Sequence, residues 1–416
     1  MFGGSLDRET VLVGIDAGTT KVTTLIGEVG RSGDVNIIGY GIGPSVGMKK
    51  GMVANIDQTV GSISASIEKA ERLSGYKISS AYVSVGGSHI SSQNSRGVVA
   101  VSGHKREVSR EDVARATDAA KAVQVPSNRE LLHVLPRGYI VDGQDGIKDP
   151  LGMSAVRLEV ETHIVAGAAT SVQNLSKCVT SSGVQIDEMV ISSLAAAEAT
   201  LTDTEKELGV LVADIGGGTT DIAIFVDGAA YHTAVLPVGG INVTNDVAIG
   251  LRTSLNLAEE IKIKHGTANM AEVEPEELLN VAVLGESGGQ TIQRRKLCEI
   301  IEARMGEIFS LIREEVKRSG HAGMLPAGAV LTGGAARLAG VEVFARETLE
   351  MTVRVGSPQG AGGLMDQIGN PAFSTSIGLL LWGAHHIGEE PIGYGSSNGV
   401  NPLSRVGEWI RNLFPG

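Results

Sequence analysis

The sequence predicts an α/β chain with two lobes facing each other across a cleft and a small subdomain inserted in the first lobe. Three observations predict it. The run Gly209-Val210-Leu211-Val212-Ala213-Asp214-Ile215-Gly216-Gly217-Gly218-Thr219-Thr220-Asp221-Ile222-Ala223-Ile224-Phe225 reads as a strand, a tight turn and a second, antiparallel strand. Val11-Leu12-Val13-Gly14-Ile15-Asp16-Ala17-Gly18-Thr19-Thr20-Lys21-Val22-Thr23-Thr24-Leu25-Ile26 repeats that arrangement, with an aspartate again closing the first strand and paired threonines in the turn. Each copy is followed by a third strand-like run, 35–40 or 230–236, and then a helical segment. A β-β-β-α unit is therefore present twice.

The turns carry the chemistry. Their glycines leave backbone N–H groups uncovered, so a polyphosphate can approach closely. Asp214, at a strand end, suits a magnesium ion held through water, and Asp16 is its counterpart. The alternative for one such hairpin alone is an ordinary glycine-rich turn. Two facing hairpins form a clamp for one nucleotide whose metal both aspartates share. Phosphate contacts are expected from Gly18, Thr19, Thr20, Lys21, Gly216, Gly217, Gly218 and Thr219.

These hairpins resemble the phosphate loops of the actin, sugar-kinase and heat-shock-chaperone superfamily. Val330-Leu331-Thr332-Gly333-Gly334-Ala335-Ala336 resembles its adenosine loop. Along its whole length the chain resembles the FtsA family, bacterial actin homologues that tether the FtsZ division ring to the membrane. Gly239-Gly240 with Thr244-Asn245-Asp246, Ala258-Glu259-Glu260-Ile261-Lys262 and Asn370-Pro371-Ala372-Phe373 match further. The phosphate loops specify only the superfamily; the middle insertion and the tail specify the family. The resemblance implies an actin-like ATPase fold that takes ATP and Mg2+. It implies that Glu259 and Lys262 flank ribose and adenine, over a floor of Gly333, Gly334 and Ala335. Without it, Glu259 and Lys262 read as an exposed helix pair. It also implies filaments of the chain itself, a site for the FtsZ C-terminal tail in the upper second lobe, and contacts with other division proteins through the insertion. The implied location is peripheral, on the cytoplasmic side of the membrane at the division site.

Composition narrows the alternatives. The chain has 416 residues, net charge −12 and 3% aromatics. That balance argues against a nucleic-acid partner, which needs phosphate neutralisation and stacking surfaces. Cys178 and Cys298 read as two buried thiols in a reducing compartment. No signal peptide opens the sequence, and no apolar run reaches the roughly 18 residues of a membrane span.

The expected divisions are 9–87 and 164–205 for the first lobe, with a return helix at 370–387, and 88–163 for the insertion. The second lobe covers 206–369, its upper part about 244–320 and largely helical. Asp57 is the expected N-cap of the first helix and Gly75 its stop, with Ile63, Ile67 and Ala70 buried. Ser109 and Asp112 fit a capping box inside the insertion. A strand at 164–168 is expected to return to the first lobe, and a helix to start at Pro371 under an Asn370 cap. The acidic run 272–277 and the basic run 294–296 read as solvated faces.

Hydrolysis is expected to be slow. Actin relatives orient the attacking water with Glu or Gln at the start of the helix before the second phosphate loop, and Ser192 occupies that place here. Serine is no base at neutral pH, and the next carboxylate, Glu198, is expected to face elsewhere. Two nucleophile-elbow patterns, 43–47 and 285–289, lack strand–turn–helix context and read as decoys. His385-His386 shows no metal-ligand spacing.

Residues 388–400 are rich in Gly, Ser, Asn and Pro and read as a flexible tether. Beyond it, Leu403, Val406, Trp409, Ile410, Leu413 and Phe414 fall within about 140° of a helical wheel. Ser404, Arg405, Glu408, Arg411 and Asn412 occupy the remainder. Such a helix, 401–416, suits a membrane interface; the alternative is docking on its own globular part. Competing functions are a small-molecule kinase, which would need a catalytic aspartate in a substrate cleft, and an actin-like pilus-assembly scaffold without the tail.

Overall fold

The computed structural model describes residues 10–102, 106–122, 126–282 and 289–387. The tether and the amphipathic helix, with all six residues of its apolar face, lie outside them. So does most of the decoy loop 285–289.

The first copy of the repeat forms β1 (Thr10–Ala17), β2 (Lys21–Val29) and β3 (Val35–Pro44), then a small hairpin of β4 (Met48–Lys49) and β5 (Met52–Val53). Helix α1 (Ile56–Ser74) and β6 (Ser80–Val85) follow. Asn55, not Asp57, caps α1, because its side chain reaches the Gln58 N–H while Asp57 already lies in the first turn. Gly75 ends the helix at φ 73°, where a side chain would be strained. Ile63, Ile67 and Ala70 are buried as the periodicity requires.

The insertion comprises β7 (Ser91–Ala100), α2 (Arg110–Lys121), β8 (Arg129–Val141), β9 (Gln144–Ile147) and β10 (Arg157–Ala168), in the sheet order β7-β10-β8-β9. The Ser109–Asp112 capping box opens α2. Residues 164–168 are not a separate strand of the first lobe. They continue β10, paired throughout with β7 or β8, since an apolar stretch following 157–163 without a breaker extends the same ladder. The inserted sheet also touches the second lobe. Ser92 Oγ donates to the Thr233 carbonyl (2.8 Å), His163 Nε2 pairs with Thr233 Oγ1 (3.0 Å) and the Arg137 guanidinium lies over Tyr231.

The chain returns through α3 (Ala169–Ser181), β11 (Gln185–Ile191), α4 (Ser192–Thr200) and α5 (Asp203–Leu208). The second copy gives β12 (Val210–Ile215), β13 (Thr220–Val226), β14 (Ala229–Leu236) and α6 (Gly240–Leu251). The upper region adds α7 (Leu255–His265), a hairpin of β15 (Leu278–Ala282) and β16 (Gly289–Gln293), and α8 (Arg294–Arg318). That hairpin departs from the helical expectation; Thr291 and Ile292 supply β-branched pairing positions. The runs flanking it are not merely solvated, because Arg294 pairs with Glu277 at 2.7 Å. The chain closes with β17 (Ala329–Thr332), α9 (Val341–Leu349), β18 (Val353–Val355), β19 (Ala361–Gly363) and α10 (Ser374–His385). Asn370 caps a single 3₁₀ turn, Pro371–Phe373, and the α-helix proper begins after it.

The repeat is visible in topology. One sheet runs β11-β6-β1-β2-β3 and the other β18-β17-β12-β13-β14, each with an antiparallel three-strand meander and two parallel additions. The first sheet gains β19 at its β3 edge. Helix α10 packs into the first lobe, where Ile377, Leu380 and Leu381 meet Leu12, Leu25 and Ile37. Cys178 and Cys298 are buried and free.

Candidate nucleotide site

The two hairpins have turns of equal length. Ala17 pairs with Val22 and Ile215 with Thr220, so residues 18–21 correspond one to one with 216–219. The paired threonines of the two copies are therefore not equivalent, contrary to the sequence reading. Thr19 and Thr20 correspond to Gly217 and Gly218, and Lys21 to Thr219. The turns meet face to face. A Cβ on Gly217 would fall 2.4 Å from Thr20 Cγ2, and one on Gly218 2.7 Å from Thr19 Oγ1. The threonine pair of one loop thus sits in the gap left by the glycine pair of the other.

Asp16 and Asp214 end equivalent strands. Asp16 accepts from Ser84 Oγ (2.7 Å) and Ser376 Oγ (3.2 Å); Asp214 accepts from Thr375 Oγ1 (2.5 Å). Burial pushes the Asp214 carboxyl up to about 6, the Thr375 hydrogen bond opposes that, and the Asp16 charge adds to it. Lys21 donates to the Ala372 carbonyl and lies 3.3 Å from the centroid of Phe373. Burial lowers its ammonium to about 8, although Asp16 and Asp214 both favour the charged form.

Sequence reasoning missed Asp221. A four-residue turn makes it the direct cross-strand partner of Asp214, a signal available from spacing alone. It is 5% exposed and accepts from Thr219 Oγ1 at 2.9 Å. Burial and then the Asp214 charge raise its carboxyl to about 8. Ser192 opens α4 and donates to the Val85 carbonyl (3.3 Å). Ser192 Oγ and Asp221 Oδ1 lie 3.1 and 3.0 Å from where a Gly86 Cβ would stand, so both reach the same spot beside the clamp. Glu198 does face elsewhere, bonded to Lys206 and His385.

Beside the clamp opens a cavity of about 380 Å³. Thr20, Gly216, Gly217, Glu259, Lys262, Gly334 and Ala335 line it, as does Gly240 of the matched Gly239-Gly240 pair, joined by residues the sequence did not single out, among them Ile241, Met305 and Arg337. Glu259 and Lys262 come from α7 and form an ion pair (2.7 Å) that includes Thr244 of α6. Lys262 is only 12% exposed and belongs to the cavity wall, while Glu259 lines the cavity with 46% of its side chain exposed. Gly18, Thr19, Lys21, Gly218, Thr219 and Gly333 do not line the cavity. Thr19 accepts from the Gly51 N–H (3.1 Å). Gly333, at φ +87°, backs Asp214, whose Oδ1 lies 2.2 Å from the position of a Cβ.

These residues fit a magnesium–nucleotide. Asp214, raised by burial and by a like charge, gains from a cation. Among the described residues no three His, Cys, Asp or Glu side chains converge as a metal cage. Mg2+ fits such a site, since it keeps waters and takes one or two carboxylates plus phosphate oxygens.

A family model described as cell division protein FtsA matches residues 211–378, and one described as an SHS2 domain inserted in FtsA matches 87–166. Cell division protein FtsA of Pseudomonas aeruginosa is 42% identical, covering 99% of this chain and all of the relative. Among solved structures, a PilM–PilN type IV pilus biogenesis complex aligns at TM-score 0.65 with 16% identity, covering 91% of this chain and 99% of that one. MreB5 of Spiroplasma citri bound to ADP aligns at TM-score 0.56 with 13% identity, covering 89% and 95%. Both structures share the two-lobed actin-like fold.

Proposed function

The chain belongs to the FtsA family of cell division proteins, and from that premise we propose that it is an ATP-binding, actin-like membrane adaptor. In this reading it binds Mg-ATP between the lobes, assembles into filaments and holds the FtsZ C-terminal tail in its upper second lobe. Its C-terminal helix lies on the cytoplasmic face of the membrane, and the inserted subdomain recruits later division proteins. One observation carries the nucleotide part: two equivalent hairpins follow Asp16 and Asp214, whose carboxyls feel each other's charge, and Thr20, Gly216 and Gly217 of their turns line a cavity of about 380 Å³.

The residues divide the work. Gly216 and Gly217 present bare backbone to phosphate, Lys21 supplies a cation, and Asp16 and Asp214 hold the metal, whose role is to neutralise phosphate charge. Glu259 and Lys262 flank the nucleoside over Gly334 and Ala335. Ser192 has no basic group to offer a water. Turnover should therefore fall well below the roughly 1–100 per second of kinases, leaving the nucleotide as a conformational ligand.

Calorimetry with Mg-ATP tests the site. Asp214→Ala should bind at least about tenfold more weakly, as expected when a group that orients the metal's shell is lost; equal binding would refute the assignment. Co-sedimentation with lipid vesicles and FtsZ tests the adaptor role.

A further inference from the structure

Helix α10 begins with three hydroxyl residues in a row, Ser374, Thr375 and Ser376, at 1%, 5% and 0% exposure. The rest of the helix is Ile-Gly-Leu-Leu-Leu-Trp-Gly-Ala-His. Buried hydroxyls in such surroundings are costly unless hydrogen-bonded. At a helix start the common solution is to cap backbone N–H groups. That is not their use here: the N-cap is Phe373, without a side-chain cap bond. Each hydroxyl instead finds a partner off the helix. Ser374 pairs with Thr332 Oγ1 (2.7 Å), Thr375 donates to Asp214 Oδ2 (2.5 Å) and Ser376 donates to Asp16 Oδ2 (3.2 Å).

We propose that Thr375 and Ser376 are positioning residues that fix the two aspartates for the divalent cation; the inference rests on the nucleotide reading above. Consecutive residues on one helical turn reach one carboxylate from each lobe. Their Cα atoms are about 3.8 Å apart by covalent geometry, so the helix sets the spacing of the pair. The second oxygen of each carboxylate meets a different neighbour. Ser84 Oγ grips Asp16 Oδ1, and Gly333 leaves room for Asp214 Oδ1. Mg2+ demands near-ideal octahedral geometry, so carboxylates free to rotate would hold the ion and its waters poorly. Hydrogen bonds behind metal ligands orient them and tune affinity by about 10–100-fold.

The test measures ATP affinity of the full chain by calorimetry, once in Mg2+ and once in EDTA. Thr375→Val keeps the shape and removes the donor. It should weaken binding in Mg2+ by about tenfold or more and leave the EDTA value unchanged. Thr375→Ser restores the hydroxyl and should restore the Mg2+ value. Ser376→Ala gives an independent second variant with the same signature. Unchanged Mg2+ affinity in Thr375→Val, or an equal loss with and without Mg2+, would overturn the inference while the site assignment stands. Wild-type affinity indifferent to Mg2+ would overturn the metal reading of the aspartates, and this inference with it.

Discussion

Asp221 couples the site to pH. Its folded-state carboxyl is raised from 3.8 to about 8, so the protonated form stabilises the ligand-free fold. That contribution is fully present below about pH 4 and is lost as pH rises toward 8. One unit is about 1.4 kcal/mol, so half the shift makes Asp221→Asn stabilising by about 2–3 kcal/mol at pH 8. Thermal melts from pH 5 to 8 should show a falling midpoint in the wild type and a flatter profile in the variant; parallel profiles would contradict it. Asp16 and Asp214 were legible because each closes an apolar run before a small-residue turn. Asp221 was hidden by the apolar alternation around it, which reads as plain strand until turn length fixes the register. The Thr375 and Ser376 hydroxyls were unreadable for another reason: their partners lie 161 and 360 positions away.

Helices α4 and α10 cross at a single glycine. A Cβ on Gly378 would lie 1.7 Å from the Ala195 carbonyl oxygen, so the two backbones touch. Gly378→Ala forces them apart and should cost about 1–3 kcal/mol, as overpacking does, measured as a lower urea midpoint; an unchanged midpoint would mean the crossing yields freely. Elements with a strong period were legible in the sequence: the two meanders, α1 with its buried stripe, and α2 with its capping box. Elements whose existence depends on a distant partner were not. β19 is three residues of Ala-Gly-Gly that become a strand only by pairing with β3. The length of β10 is set by its neighbours β7 and β8, which is why a break was expected at residue 164. Choice of cap also lay below sequence resolution, since Asn55 and Asp57 are both good cap types and only the turn geometry separates them.

At the scale of the whole molecule, the tail and the body should act together. Each apolar side chain on the tail contributes at most about 1.5–3 kcal/mol, and ordering the tail costs about 1–2 kcal/mol per residue. A lone chain should therefore bind vesicles weakly, and an assembly carrying many tails strongly, because later contacts are intramolecular. Trp409→Glu should abolish vesicle binding and leave ATP affinity intact. Strong binding by dilute wild-type protein, or no change in the variant, would overturn this view. The paired loops carry a different consequence, one of symmetry. Position 19 meets 218 and position 20 meets 217, the crossed pattern of a two-fold axis. Two identical chains around such an axis must present the same residues from both sides, so Thr-Thr could never oppose Gly-Gly between them. Two threonine loops would collide, and two glycine loops would leave the space unfilled. The present fit needs two halves of different sequence, so neither loop can be exchanged for a copy of its twin without a collision or an unfilled gap.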